Sequence, residues 1–340
     1  MPPWWIVPPE PDLRPLISRF AGKRMLAIGD LMLDEFIWGR VSRISPEAPV
    51  PVVNVTGESY YPGGAANVAR NLREFTSETA VVGVTGADPH GRSLIGLLEA
   101  AGIGTEGVLQ DPAVPTTVKT RVIARNQQVV RVDRERKAAL TAEQETRVCA
   151  WLQRAAAEVD GIVVADYGKG FLTQPLADEI CRLARKHGKV LAVDPHPHTS
   201  LVWRGATAIK PNRIEAFSAA GLPPSEPVEP VCQDEALLAA ARRLRRLWEA
   251  ESLLVTLGEQ GMLLFHGEAE PLHLAAHAQE VFDVSGAGDT AIAVFALGMV
   301  AGATPAAAAE LANVASGIVV GKVGTATVTP AELMAALGPR

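Results

Sequence analysis

The stretch Val281-Phe282-Asp283-Val284-Ser285-Gly286-Ala287-Gly288-Asp289-Thr290 joins an extended, apolar lead-in to a Gly-Ala-Gly turn. The run AIAVFALGMVAG follows and reads as a buried helix. Two glycines let a backbone approach a ligand with no Cβ in the way. The first N–H groups of a helix lack intrahelical partners and carry partial positive charge. Gly286, Ala287 and Gly288 are therefore candidates for an anion cradle. Asp289, in the first turn, lies beside any anion bound there, where a carboxylate can take the proton of a hydroxyl that attacks phosphorus. A cradle and one base are what phosphoryl transfer needs. The same residues also suit an ordinary strand–turn–helix junction, and short Gly motifs recur by chance.

Polar residues at other element ends extend the set. RMLAIGD, from Arg24 to Asp30, reads as a buried strand. Ligands of open α/β sheets gather at the carboxyl ends of strands, which makes Asp30 and Asp34 site candidates; exposed loop carboxylates are the alternative. In Tyr61-Pro62-Gly63-Gly64-Ala65-Ala66-Asn67 a Gly-Gly hinge opens a helix. Asn67, one turn in, can bond a sugar hydroxyl or act as a cap. Asp166-Tyr167-Gly168-Lys169-Gly170 puts a cation in a flexible rim loop, and Asp194 follows another strand. Asn212 and Glu215, in KPNRIE, have capping-box spacing; alternatively they serve a nucleotide's phosphates and hydrated magnesium. His196-Pro197-His198 lacks a third ligand and makes a weak metal site.

Two further patterns need separating from these. GADPHGRS, 86–93, has the spacing of a phosphate-binding GxxxxGK[ST] loop. Arg92 stands where the slim ammonium of Lys is needed, and Pro89 stiffens the turn, so that reading is rejected. TTVKTRVIAR and QQVVRVDRE alternate around Asn126-Gln127-Gln128 and read as a β-hairpin. Its Lys119, Arg121, Arg125 and Arg131 either hold a substrate phosphate or form a solvated face.

The elements that must position these residues follow from periodicity. From Thr141 onward helical and apolar strand patterns alternate, giving βαβ units and a parallel sheet. LDEFIWG and PVPVVNVTG read as short extended pieces of a small flap, because Pro46, Pro49 and Pro51 oppose helix. GMLLFHGEAEPLHLAAH reads as antiparallel edge strands, and 304–320 as another apolar helix. The chain has 340 residues, 48% of them hydrophobic, enough for one large or two moderate domains. Formal net charge is -6 and no basic block occurs, which argues against nucleic acid. No apolar run reaches membrane-span length. Three scattered cysteines, Cys149, Cys181 and Cys232, fit a reducing cytoplasm. MPPWWIVPPEPDLRP reads as a Pro-stiffened arm in which Trp4 and Trp5 pack on the body or on a second subunit.

The order GD…D, PGGAANVARN, KPNRIE, VTLGEQG, DVSGAGDT resembles the ribokinase-like (phosphofructokinase B) sugar kinases, from about Lys23 to the C-terminus. The family commonly carries a G-x-D-x-x-G turn where the false phosphate loop lies. More narrowly, GDLMLDEFIWGRVSRISPEAPVPVV, PGGAANVARNL and TTVKTRVIARNQQVVRVD resemble the kinases of bacterial ADP-heptose synthesis. Those enzymes phosphorylate the anomeric hydroxyl of D-glycero-β-D-manno-heptose 7-phosphate, giving the 1,7-bisphosphate for lipopolysaccharide core. In some bacteria the kinase is fused to a nucleotidyltransferase. This chain ends at Arg340, which reads as the stand-alone form.

The resemblance implies a ribokinase-like three-layer α/β sandwich with a mostly parallel central sheet and a small β-lid. The arm would span 1–22 and the kinase domain 23–340, with lid strands from about 33–60 and 115–134. It implies Asp289 as catalytic base and 286–288 as anion hole. Asp34, Gly63, Gly64 and Asn67 would contact the sugar, with Lys169, Arg121 and Arg131 as cations for a substrate phosphate. Asn212 and Glu215 would organise ATP phosphates, Glu215 reaching Mg²⁺ through water. Thr256, Gly258 and Asn313 would lie near ribose and adenine, and Asp283 would sit at a potassium site. A cytoplasmic homodimer joined through the lid is also implied. Asp194-Pro195-His196-Pro197 departs from the DPKG that the resemblance implies, and Val284 or Ser285 stands where Thr is usual. Sibling kinases of fructose, ribose or fructose 1-phosphate remain alternatives, as does a non-catalytic sensor on the same fold, although a sensor has no need to keep the base. A dinucleotide-binding dehydrogenase is excluded, because the first strand runs into GDLML rather than GxGxxG.

Overall fold

The computed structural model describes residues 12–125, 127–277, 281–322 and 324–338. The expectation for Trp4 and Trp5, with residues 1–11 of the arm, lies outside them. One short turn, α1 (Arg14–Ser18), leads to β1 (Arg24–Gly29), and β2 (Leu31–Ile44) returns as β3 (Pro51–Gly64). Then come α2 (Ala65–Phe75), β4 (Glu78–Gly86), α3 (Pro89–Ala100), β5 (Ile103–Asp111), β6 (Thr117–Ala124) and β7 (Gln127–Arg134). The second half runs α4 (Ala142–Glu158), β8 (Gly161–Ala165), α5 (Gln174–His187), β9 (Val190–Asp194), β10 (Ala208–Ile209), α6 (Arg213–Ala219) and α7 (Glu235–Trp248). It ends with β11 (Ser252–Thr256), β12 (Met262–His266), β13 (Leu272–Leu274), α8 (Ala287–Val300), α9 (Pro305–Val319) and α10 (Pro330–Ala336).

The large sheet has the order β13-β12-β11-β10-β9-β8-β1-β4-β5. All pairings from β11 through β5 are parallel; β12 and β13 add an antiparallel edge. The chain moves outward from β1 to β4 and β5, then restarts at β8 on the other side of β1. That reversal opens a crevice at the carboxyl ends of β1 and β8, where open α/β sheets bind ligands. The register levels those ends: Gly29 pairs with Ala165, and Ala165 with Asp194. Residues 30, 166 and 194 thus emerge together. Apolar clusters fill both faces, one under α4 to α7 and one under α2, α8 and α9, making three layers. Residues 291–297 of α8 are at most 1% exposed. A helix apolar all round must be covered all round, and α8 is packed between the sheet, α2 and α9. Gly298 permits this closeness, since a Cβ there would lie 2.9 Å from Ala308 Cβ.

A second sheet, β3-β2-β6-β7, pairs β2 with β3 and β6 with β7 antiparallel, and β2 with β6 parallel. The pattern suggested short flap pieces; β2 and β3 are instead 14 residues each. Pro46 and Pro49 fall in the connecting loop and Pro51 opens β3, so none interrupts a ladder. Bulges at Trp38/Gly39 and Val41/Arg43 bend the long ribbon. GADPHGRS proves a folded turn: Asp88 caps α3 and accepts from Gly91 N (2.8 Å), Thr116 N (2.8 Å) and Thr116 Oγ1 (2.7 Å). The lead-in to α8 is not a strand. Val281, Phe282 and Val284 are 62–68% exposed, and the segment is tied by Phe282 N and Asp283 N donating to Val320 O.

Candidate active site

The N-terminus of α8 is capped by Gly286, whose φ of 81° lies in the left-handed region that glycine tolerates. A Cβ at this position would stand 3.0 Å from Asn67 Nδ2. One turn on, Asp289 is 5% exposed. Its Oδ2 accepts from Asn67 Nδ2 (2.8 Å) and its Oδ1 from the Tyr167 hydroxyl (2.5 Å). Burial pushes its pKa up to about 6, although Asn67 and Tyr167 pull the other way. Asn67, read as a sugar contact or cap, bonds this carboxylate.

On one side of Asp289 opens a cavity of about 830 Å³. It is lined by 286–289, Asn212, Glu215, Thr256, Gly258 and Asn313, so these sequence-derived residues do meet. Lys210 also lines it, 3% exposed, with Nζ 3.0 Å from Asp194 Oδ1. The nearest heavy atom to a Cβ built on Gly288 would be this ammonium, at 3.4 Å. Burial opposes charge on Lys210, but the carboxylates of Asp194, Glu215 and Asp289 outweigh it and raise its pKa. One ammonium cannot neutralise three acids, and burial raises both Asp194 and Glu215. Asn212 and Glu215 form the full capping box, Asn212 N to Glu215 Oε2 at 2.7 Å and Glu215 N to Asn212 Oδ1 at 2.9 Å, while also facing the cavity. The capping box and a place on the cavity wall coexist here. Asn313 Nδ2 donates to Ala275 O (2.7 Å). His196 lines the cavity with its pKa lowered by burial, and no group of three His, Cys, Asp or Glu able to hold a metal occurs among the described residues.

On the other side of Asp289 stands the second sheet. Asp34 and Asp30 are 4% and 2% exposed, so neither is an exposed loop carboxylate. Asp34 Oδ1 pairs with Arg121 Nη1 at 2.5 Å. A Cβ on Gly63 would fall 2.3 Å from Asp34 Oδ2, and one on Gly64 (φ 61°) 2.5 Å from Asp30 O. Gly63→Ala should therefore displace Asp34, which Arg121 holds in place. The expected result is about a 10²-fold loss of kcat/KM for the sugar, with KM for ATP unchanged; an unchanged sugar kcat/KM would remove Asp34 from the site. Asp30 is a clamp rather than a ligand: it accepts from Tyr167 N (2.9 Å), Lys169 N (3.0 Å) and Phe171 N (3.2 Å).

Among the sequence-derived residues that do not line the cavity, three have partners of their own away from it. Lys169 Nζ pairs with Glu135 at 2.6 Å, and Arg131, its side chain 50% exposed, pairs with Asp133 at 2.9 Å. Asp283 accepts from Ser285 N (2.9 Å) and Gly324 N (3.1 Å), closing the loop ahead of α8 onto the segment after α9. Two residues went unassigned from sequence. Tyr167 lies in a loop read only for its lysine, and nothing local signals where its hydroxyl goes. Lys210 had a legible signal, a cation ending a buried strand just before Pro-Asn.

A description of pfkB family carbohydrate kinases matches residues 23–332. The bifunctional protein HldE of Desulfatibacillum aliphaticivorans is 46% identical over 322 residues, 94% of this chain and 64% of that protein. HldE of Geobacter sulfurreducens is 43% identical over 327 residues, 96% of this chain and 65% of that protein. The chain thus spans 64–65% of the length of these curated relatives. Arabidopsis thaliana ribokinase, complexed with ribose and ATP, superposes with a TM-score of 0.71 at 17% identity, covering 94% of this chain and 100% of that one. Escherichia coli phosphofructokinase-2 in complex with potassium gives the same TM-score, identity and coverage. At that identity the structures establish a ribokinase-like fold, and the family match, which spans both sheets and the Asp289 turn, goes further: this chain belongs to the pfkB family and is an ATP-dependent carbohydrate kinase.

Proposed function

We propose that the protein transfers the γ-phosphoryl group of ATP to the anomeric hydroxyl of D-glycero-β-D-manno-heptose 7-phosphate, giving the 1,7-bisphosphate for ADP-heptose and lipopolysaccharide core synthesis. The observation that carries the reading is the place of Asp289, between a nucleotide-sized cavity and the Asp34–Arg121 face. The SRISPEAPVPVV stretch, which joins β2 to β3, and the HldE relatives support the heptose assignment. His196, where the resemblance implies a lysine, favours the second reading, a sibling kinase of another sugar or sugar phosphate such as fructose, ribose or fructose 1-phosphate.

The residues divide the work as follows. Lys210 and the N–H groups of 286–288 face the phosphates of ATP; Asn212 and Glu215 flank them; Thr256, Gly258 and Asn313 lie toward the ribose and base. Asp34, Gly63 and Gly64 meet the sugar, and Arg121 and Lys119 stand nearby as cations. Asp289 accepts the proton of the attacking hydroxyl as its oxygen bonds to phosphorus and the bond to the ADP oxygen breaks. Charge on the transferring group is neutralised by the anion hole and Lys210. Closure of the second sheet over the sugar excludes water as acceptor.

The surplus of acid over base around Lys210 suits a divalent cation arriving with the nucleotide. Mg²⁺ held by phosphates and water needs only one or two carboxylates, and Glu215 is placed for that role. Mg²⁺ would shield the phosphates and activate the γ-phosphoryl group. For potassium, Thr325 Oγ1 is buried with no hydrogen-bond partner among the described residues, next to the Gly324–Asp283 closure, which fits a cation that orders the anion-hole loop. Ile44, Val50, Val55, Val130 and Val132 of the second sheet and its connecting loop are 47–61% exposed, which supports a homodimer through this lid. The cavity is built for small molecules, with neither nucleic acid nor membrane as partner, and we place the enzyme in the cytoplasm. The position of transfer is testable by ³¹P NMR of the product. A new anomeric phosphate beside the retained 7-phosphate is expected; phosphate at any other carbon would overturn the assignment.

A further inference from the structure

Asp289 accepts one donor on each oxygen, and the two donors come from distant parts of the chain. Asn67 on α2 serves Oδ2, and Tyr167, in the loop after β8, serves Oδ1. A carboxylate oxygen has two lone pairs, so each oxygen keeps one free for an incoming proton. Together the two donors fix the plane of the carboxylate. We propose that Tyr167 is a positioning residue for the base: its hydroxyl, donated to Asp289 Oδ1, fixes the orientation of the carboxylate and favours its ionised form. This rests on the kinase reading with Asp289 as base.

The loop is built to hold that phenol still. Asp30, at the end of β1, takes the N–H groups of Tyr167, Lys169 and Phe171, three alternate residues. Asp166 Oδ1 takes Gly168 N at 2.8 Å. Gly168 and Gly170 have φ of 68° and 107°, which permit the tight path. On the side of the second sheet, Lys119 Nζ lies 5.7 Å from the Tyr167 ring centroid, a cation–π distance that braces the ring. Burial, and then the charge of Asp289, raise the Tyr167 pKa well above its usual value, so the phenol remains the donor.

The charges acting on the base are Asp194 and Lys210, at the ends of β9 and β10; those facing Tyr167 include Asp34 of β2, partnered by Arg121 of β6, and Lys119 of β6. Arg70 of α2 donates to the side-chain oxygen of Asn67 (3.4 Å) and the carbonyl of Thr325 (3.2 Å) and lies 5.9 Å from the Tyr61 ring centroid. Of the titratable groups, Tyr167 alone donates a hydrogen bond to Asp289 among the described residues.

The test is the pH profile of kcat/KM for whichever acceptor the wild-type enzyme turns over. Only ionised Asp289 accepts a proton, so a pKa raised to about 6 gives full activity above that pH and a fall below it. Tyr167→Phe should move this acid limb upward by roughly one unit and lower the plateau kcat while KM for ATP stays unchanged. Fluorotyrosines incorporated at position 167 preserve shape while making the phenol more acidic, so they remain informative where the Phe variant folds poorly. They should shift the limb downward in order of acidity. A limb that moves in neither series overturns the proposal and leaves the kinase assignment standing, because the wild-type profile in the same experiment reports turnover independently.

Discussion

Asp289→Asn lowers kcat by about two to four orders of magnitude and leaves the affinity for ATP close to wild type. The substitution keeps the size of the side chain and one acceptor oxygen, so either Asn67 or Tyr167 retains its bond. What disappears is the capacity to take a proton. The carboxylate is buried at 5% exposure, so bulk solvent does not readily take over its role. Single-turnover kinetics with saturating sugar measure the loss, and equilibrium nucleotide binding measures the retention. Near-wild-type turnover would remove Asp289 from the chemistry.

Lys210→Met is the second large effect, expected at about 10²- to 10³-fold in kcat, the usual consequence of removing one preorganised charge stabiliser. Its Nζ lies 3.0 Å from Asp194 Oδ1 and beside Gly288, in the anion hole proposed above. Breaking a buried ion pair costs about 3–5 kcal/mol where the orphaned group stays charged. Here burial already raises the pKa of Asp194, so proton uptake limits the damage. The variant should therefore fold, with a Tm that falls less at pH 5 than at pH 8, because protonation of the orphaned carboxylate is easier in acid. A kcat within a few-fold of wild type would show that the helix N-terminus alone carries the charge.

Much of this arrangement was legible in the chain because its chemistry is local. Gly286 to Asp289 sits at a helix start, Asn212 and Glu215 are three residues apart, and Gly63 and Gly64 adjoin the helix that carries Asn67. Alternation of apolar strands and helices foretold the parallel sheet. What escaped depends on partners far along the chain: Tyr167 and Asp289 are 122 residues apart. Val281, Phe282 and Val284 misled in the other direction. Their apolar run reads as an extended lead-in to the turn, but it belongs to no strand of the sheet and lies 62–68% exposed. Lys169 and Arg131 were chosen for charge alone, and Glu135 and Asp133, their partners, lay within sequence neighbourhoods already full of acids and bases.

The most direct measurement is ADP release from ATP and Mg²⁺ with D-glycero-β-D-manno-heptose 7-phosphate, beside ribose, fructose, fructose 1-phosphate and hexose phosphates, with Asp289→Asn as control. Selective turnover of the heptose phosphate, abolished in the control, is the expected result. Turnover confined to another sugar would contradict the heptose assignment and direct attention to His196 and Pro197.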